Sequence, residues 1–168
     1  MSARGARAVV IAVGNEFRRD DGVGPVVLAE LEKQQLPPDI ALTLSDGEPT
    51  QFFDAWTGVP LAVVVDAVLC EPSAPGKVHR TTLAGESLMA TAASTHGLGI
   101  PEAVQLAEAL DRAPQQLVVF AVEAADLGFG VGLSDEVAKA VPEVVQAVLA
   151  ELAELAELAD DAAPPPSS

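Results

Sequence analysis

Short apolar runs alternate along the chain with longer stretches in which apolar residues recur every three or four positions. This pattern predicts strands at 7–13, 40–44, 61–65, 77–83 and 116–122, and helices at 23–34, 49–56, 101–110 and 134–158. Strands that alternate with helices are typical of a parallel sheet with helices on both faces. We therefore predict a three-layer α/β/α fold with a mostly parallel sheet of about five strands and a long C-terminal helix.

Two of the predicted strands differ in character from the others. The run 61–65 is wholly apolar, which is typical of a central strand buried on both faces, and we expect it to end at Asp66. The run 77–83 is more polar and is predicted to form an edge of the sheet. The stretch 84–95 has no clear period and is left unassigned.

The C-terminal region is predicted to contain one long helix followed by a disordered tail. Ser134 is the expected N-cap, and Pro142 predicts a kink or a restart within the helix. Residues 159–168 are rich in Pro and Ser and are predicted to be disordered. We therefore expect a single domain that spans residues 1–158.

Composition excludes several classes of protein. The chain has 25 acidic and 9 basic residues, for a formal net charge of −16, which argues against binding to nucleic acid or to an anionic membrane. Its one cysteine, Cys70, excludes an internal disulfide and a Cys-rich zinc site, and fits a cytoplasmic protein. The apolar run at 8–13 is too short for a secretory leader, and no run is long enough for a membrane span.

Acidic residues follow three of the predicted parallel strands. Asp21 lies in the loop after the first strand, Asp46 follows the second, and Asp66 follows the third. The carboxyl ends of parallel strands share one edge of a sheet, where ligands bind in open α/β folds. Because neighbouring strands lie about 4.8 Å apart, we expect these three carboxylates within roughly 10 Å of each other.

Two of the acidic residues stand in informative surroundings. Asp66 lies inside an apolar stretch, where a carboxylate is costly to bury unless it is paired or binds a cation; a strand-end Asp that accepts backbone N–H bonds is the alternative. Asp20 and Asp21 are adjacent in a loop, so that their side chains point in different directions. We assign Asp20 to capping of the following helix and Asp21 to the cleft.

The chain has two histidines, of which one is a candidate ligand. His96 lies among small residues in a predicted loop, whereas His79 is interpreted as a surface residue of the edge strand. Two carboxylates and one imidazole would form an open site for nickel, zinc, iron or manganese. No HExxH helix is present, so the chain lacks the zincin pattern.

Other active-site patterns are missing from the sequence. There is no GxSxG and no P-loop, and Gly14 and Gly22 do not have dinucleotide-binding spacing, so no nucleotide cofactor is expected. A thiol enzyme that uses Cys70 and His96 is the remaining possibility, but the position of Cys70 after an apolar strand favours an inert thiol.

Three segments together resemble the hydrogenase maturation protease family. They are GNEFRRDDGVGP at 14–25, DGEPT at 46–50 with VVVDAV at 63–68, and STHGLGIPEA at 94–103. A weaker similarity lies in AVE at 121–123 and GLSDEV at 132–137. The order and spacing of these motifs match the family over about residues 7–150.

The resemblance implies a specific reaction and a specific metal site. Proteins of this family are endopeptidases that remove the C-terminal extension of the hydrogenase large-subunit precursor after nickel insertion, cutting after a basic residue. The family's metal ligands correspond here to Asp21, Asp66 and His96, with Asp in place of the Glu that some members have at the first position. Asp46 corresponds to an acidic position near the cleft. The implied fold is phosphorylase/hydrolase-like, and the implied metal is nickel presented by the substrate.

Two other functions remain compatible with these residues. One is a metallohydrolase with its own permanent divalent metal and a small substrate. The other is a binder that senses nickel in the precursor without cutting it. For the enzyme, Asp21, Asp46, Asp66 and His96 are the expected catalytic residues, and nothing in the sequence specifies an oligomeric state.

Overall fold

The computed structural model describes residues 5–70, 72–82, 93–94 and 100–162. The described elements are β1 (Ala8–Val13), α1 (Val23–Glu32), β2 (Ile40–Ser45), α2 (Pro49–Trp56), β3 (Leu61–Leu69), β4 (Val78–Thr82), β5 (Ala93–Ser94), α3 (Ile100–Ala109), β6 (Gln116–Glu123) and α4 (Asp135–Ala162). A 3₁₀ turn at Arg19–Gly22 precedes α1. The predicted alternation of strands and helices is confirmed.

The described strands form one mostly parallel sheet in the order β2-β1-β3-β6-β4. Strands β2, β1, β3 and β6 run parallel to one another. Strand β4 lies at the edge, as its polar sequence predicted, and runs antiparallel to β6. The short strand β5 pairs antiparallel with the end of β3. This arrangement confirms the α/β fold class.

Side chains alternate between the two faces of the sheet, and each face is covered by helices. Val10, Val63 and Phe120 pack in a cluster that includes side chains of α1 and α4. On the other face, Val64 and Val119 pack with side chains of α2 and α3. Both faces are covered because the buried residues of β1 are all apolar, as are those of β3 apart from Asp66, and this gives the three predicted layers.

Strand β3 is longer than predicted, because it does not end at Asp66. Its pairing with β6 runs without a break from Leu61 opposite Gln116 to Val68 opposite Glu123. The apolar residues after Asp66 continue the strand, and the carboxylate therefore lies within it. The unassigned stretch 84–95 contains β5, and the rest of that stretch lies outside the described residues.

Helix α4 runs to Ala162 and continues through Pro142 without interruption, so the predicted restart is wrong. The helix-forming sequence after Glu151 offers no breaker before Pro164, and residues 159–162 of the predicted tail are helical. Residues 163–168 lie outside the described part of the chain. No helix among the described residues is long and apolar enough to cross a membrane.

Asp20 ties together the two loops at the carboxyl edge of the sheet. Its buried carboxylate accepts hydrogen bonds from the backbone N–H groups of Ala125 at 2.8 Å, Asp126 at 2.9 Å and Ser134 at 2.7 Å. The Ser134 hydroxyl donates a fourth bond at 2.9 Å. Asp20 is therefore structural, as predicted. However, it serves the loop after β6 and the start of α4, while the N-cap residue of α1 is Gly22, which provides no side-chain cap.

Glu123 holds the connection between β3 and β4 in a similar way. Its carboxylate is 3% exposed, accepts a bond from the Ala74 N–H at 2.8 Å and lies 2.6 Å from His79 Nε2. Burial by itself would raise the pKa of Glu123, but the hydrogen bonds from His79 and Ala74 outweigh it and bring the pKa below its usual value. His79 is thus a partner of a buried carboxylate, and its assignment as a plain surface residue is wrong.

Replacement of Asp20 by Asn should destabilise the protein by about 3 kcal/mol. The amide NH₂ of Asn would face an N–H or O–H group whose hydrogen bond the carboxylate oxygen accepts in the wild type. Urea unfolding of Asp20→Asn and of Asp126→Asn would measure the difference. Asp126 is exposed and its Oδ1 accepts a hydrogen bond from the Gly128 N–H within its own loop, so its variant should change the free energy of unfolding by less than about 0.5 kcal/mol. Equal stability of the two variants would contradict the role given to Asp20.

Replacement of Glu123 by Gln should destabilise the protein by about 2 kcal/mol at pH 7. The difference in free energy of unfolding between the variant and the wild type should become smaller at acidic pH. Because the pKa of Glu123 is lowered on folding, its ionised form stabilises the fold above the unfolded-state pKa, and this contribution is lost as the pH falls through the folded-state value.

Urea unfolding of Glu123→Gln and the wild type at pH 7 and near pH 3 would test this dependence. The matched variant Glu108→Gln changes an exposed carboxylate of α3 and should show little difference at either pH. A stability gap for Glu123→Gln that is constant over this range would refute the stated cause.

Candidate functional site

The carboxyl edge of the sheet brings together the loops after β1, β2 and β3. The register places Val13 opposite Ser45, and Ala12 opposite Val65. Asp46 follows Ser45 and Asp66 follows Val65, so both aspartates lie at the level where β1 ends. The structure thus places these two predicted residues at one edge, as parallel strands require.

Asp66 is a buried carboxylate on the face of the sheet that α2 and α3 cover. It is 1% exposed, and the alternation of β3 gives it the same face as Ala62 and Val64. Its partner in the register on β6 is Ala121, a small residue. On the side of Asp66 that faces β6, the neighbouring side chain is therefore a single methyl group.

Asp21 is held at the same edge by the loop that follows β1. It is fully buried, and its Oδ2 accepts a hydrogen bond from the Asn15 N–H at 3.0 Å. The loop closes tightly at Gly14, which has φ +148°, and a Cβ at this position would lie 2.0 Å from the Asp21 carbonyl oxygen. Only glycine fits there, so the close approach of Gly14 fixes the backbone of Asp21.

Gly24 places the beginning of α1 directly against the ends of two strands. A Cβ on Gly24 would meet the carbonyl oxygen of Val13 at 2.6 Å and that of Val65 at 3.1 Å. The main chain of α1 therefore contacts the residue that precedes Asp66. As Asp21 lies three positions before Gly24, its loop and the strand of Asp66 meet at this point.

Asp46 differs from the other two aspartates because it is exposed. Its Oδ1 accepts a hydrogen bond from the Glu48 N–H at 3.1 Å, and its own N–H donates to Gln51 Oε1 at 3.0 Å. These bonds hold Asp46 in the turn that enters α2. It lies at the predicted edge, with its side chain open to solvent.

His96, the third predicted ligand, lies outside the described residues. Within the described part of the chain, no group of three or more His, Cys, Asp and Glu side chains is arranged to hold a metal ion. The nearest described residue before it is Ser94 of β5, which pairs with Val68, two positions after Asp66.

The sequence did not reveal the ionisable pair of His79 and Glu123 near this edge. In the register, His79 and Asp66 both lie opposite Ala121, so all three side chains share one face of the sheet. Burial raises the pKa of the Cys70 thiol, and the charge of Glu123 adds to this effect, which agrees with the predicted inert thiol. Glu123 follows an apolar run in the sequence, as Asp66 does, and this pattern could have indicated a buried carboxylate at position 123 as well.

Comparisons with known proteins agree with this geometry. A family model for HycI hydrogenase maturation protease matches residues 25–151, which is well over half of the chain. Asp46, Asp66 and His96 fall within the matched range, and Asp21 lies just before it. A search among curated proteins gave no match.

Solved structures of hydrogenase maturation proteases share the fold. The hydrogenase maturating endopeptidase HybD from E. coli is 22% identical with a TM-score of 0.78, over 88% of this chain and 93% of that one. The [NiFe] hydrogenase maturation protease HybD from Thermococcus kodakarensis is 27% identical with a TM-score of 0.70, over 87% and 98%. HycI from the same organism is 19% identical with a TM-score of 0.64, over 85% and 90%.

The extent of the family match and the shared fold agree with the motifs in the loops after β1 and β2 and within β3. The chain therefore belongs to the hydrogenase maturation protease family and is a peptidase.

Proposed function

We propose that this peptidase removes the C-terminal extension of a nickel–iron hydrogenase large-subunit precursor after nickel has been inserted. The nickel belongs to the substrate and serves as its recognition element, held by Asp21, Asp66 and His96. The observation that carries this proposal is the burial of Asp21 and Asp66 at one edge of the sheet, on two separate segments that meet at Gly24. Family membership supports the reaction.

The donor set suits a divalent cation such as nickel. Carboxylate oxygens and an imidazole nitrogen are ligands that first-row metals accept, and three protein ligands leave positions open for groups of the substrate. The backbone of Asp21 is fixed by its contact with Gly14, and Asp66 lies within a paired strand. Two ligands in fixed positions favour reversible binding of a metal ion that the substrate carries.

The direction of β5 supports the assignment of His96. The strand β5 runs antiparallel to β3, with Ala93 opposite Leu69 and Ser94 opposite Val68. His96 follows Ser94 by two positions in sequence, and Asp66 precedes Val68 by two. The last described residue before His96 is therefore paired within two positions of Asp66, which supports the assignment.

Two routes to hydrolysis are compatible with this site. In the first, the nickel of the substrate polarises the scissile carbonyl or activates the attacking water. In the second, Asp46 acts as general base, for which its exposure at the same edge leaves it accessible to water. We assign the reaction to the cytoplasm, in agreement with the single cysteine, Cys70.

Asp66→Asn and His96→Ala should each abolish cutting of the nickel-loaded precursor, because each removes a proposed ligand. Mass spectrometry of the large subunit after incubation would show whether its C-terminal extension is lost. The other histidine provides a matched control: His79→Gln keeps a donor for Glu123 and should retain cutting. Full cutting by either ligand variant, with its fold intact by circular dichroism, would rule out the proposed grip.

The wild type should cut the precursor only when nickel is present in it. Incubation of nickel-free and nickel-loaded precursor with the protein, followed by the same mass measurement, tests the substrate metal as the recognition element. Metal analysis of the purified protein separates this model from a permanent metal site. Equal cutting of both precursors, or one tightly held ion per chain as isolated, would favour a conventional metallohydrolase.

A further inference from the structure

Exposed apolar side chains of the described residues are concentrated at the carboxyl edge. Seven large apolar side chains are exposed, and Leu106 and Leu110 lie on or just after α3. The other five, here called the apolar rim, are Phe17, Leu44, Leu69, Phe129 and Val131. Each of the five lies in a loop after a strand of the sheet or at the end of a strand. This edge is also the one that carries Asp21, Asp46 and Asp66.

Backbone hydrogen bonds hold much of the rim together. The Gly130 N–H donates to the Phe17 carbonyl at 2.9 Å, and the Arg19 N–H donates to the Gly130 carbonyl at 3.0 Å. The Arg19 guanidinium donates to the Val131 carbonyl at 3.3 Å. Phe17, Phe129 and Val131 therefore lie on two loops that are joined side by side, and Phe129 is 93% exposed.

A groove of about 420 Å³ continues the rim toward β2. Phe17 and Leu44 contribute apolar surface to it, and it also contains the carboxylates of Glu16, Glu32 and Asp46. No Lys or Arg is among the described residues that line it. The groove thus combines an apolar lining with uncompensated negative charge.

We propose that the apolar rim and its acidic groove form the docking surface for the segment of the large-subunit precursor that flanks the cut. This inference rests on the proposed function and adds the surface of this chain that binds the segment. The segment carries large apolar side chains that contact Phe17 and Phe129, and at least one basic side chain that enters the groove. Charge complementarity with the three carboxylates selects this occupant over an acidic or purely apolar one.

The exposure of the rim in this acidic chain supports that assignment. Contiguous apolar patches with a polar border are typical of interaction sites, and aromatic side chains such as Phe129 are common anchors. If the rim bound no partner, its exposed apolar side chains would remain in contact with water, and their concentration at one edge would not stabilise the protein. Because the rim is continuous with the edge of Asp66, a segment bound there leads directly to the proposed site.

Phe129→Ser and Glu32→Lys test the apolar and the charged part of the surface separately. Both side chains are exposed and neither is a proposed catalytic residue, so both variants should fold. In steady-state cutting of the nickel-loaded precursor, each variant should raise KM about tenfold, with kcat unchanged, because docking is weakened and chemistry is not. The matched controls Leu106→Ser and Glu143→Lys alter exposed residues elsewhere and should stay within about twofold of the wild type.

Binding of the precursor to the immobilised protein is measured in addition to cutting, so that the docking surface and the proposed function can be refuted independently of each other. If the wild type cuts the precursor and both rim variants keep its KM, the docking surface is overturned and the proposed function stands. If the wild type binds without cutting and Phe129→Ser weakens binding, the surface stands and the proposed function falls. A stable dimer of the wild type in analytical ultracentrifugation that Phe129→Ser converts to monomer would show that a second copy covers the rim, and would overturn the proposal.

Discussion

The burial of carboxylates at one edge of the sheet is the constraint on which the rest of the structure depends. Asp20, Asp21, Asp66 and Glu123 are each at most 3% exposed, in a chain of strongly negative net charge. A buried carboxylate is tolerated only where donors or a cation compensate it. For Asp20 and Glu123, these donors come from loops that are distant in sequence. Buried carboxylates therefore order the loops at this edge, and one of these loops, the loop after β1, also carries Asp21.

The buried carboxylates of this edge are bonded to different parts of the chain. Asp20 accepts hydrogen bonds from the N–H and the hydroxyl of Ser134, and Glu123 accepts one from the Ala74 N–H. Asp21 lies beside Asp20 in sequence but faces the other way, toward the end of β1. Adjacent residues of one loop thus serve different purposes, because consecutive side chains diverge from the backbone. In the proposed function, Asp20 orders the loops of this edge and Asp21 is a ligand of the substrate metal.

The fold followed from the sequence because periodicity is a local property, whereas the partners of the buried charges are not. Parallel strands share a carboxyl edge, so Asp46 and Asp66 could be placed together from the pattern alone. The bonds of Asp20 join it to residues more than 100 positions away, and no local signal announces them. His79 looked like a surface residue because its partner Glu123 lies on another strand. A charged residue after an apolar run predicts the end of a strand, whereas β3 continues through Asp66 because the residues beyond it are apolar as well.

The contact of Gly24 with the strand ends has a consequence for how this protein tolerates change. The start of α1 rests on main-chain atoms of Val13 and Val65, and not on the tips of their side chains. Aliphatic residues of the interior can therefore be exchanged for others of similar volume without displacing the loop of Asp21. Laboratory evolution could replace much of the interior, provided that Gly14 and Gly24, which lie against the main chain beside Asp21 and Asp66, are kept.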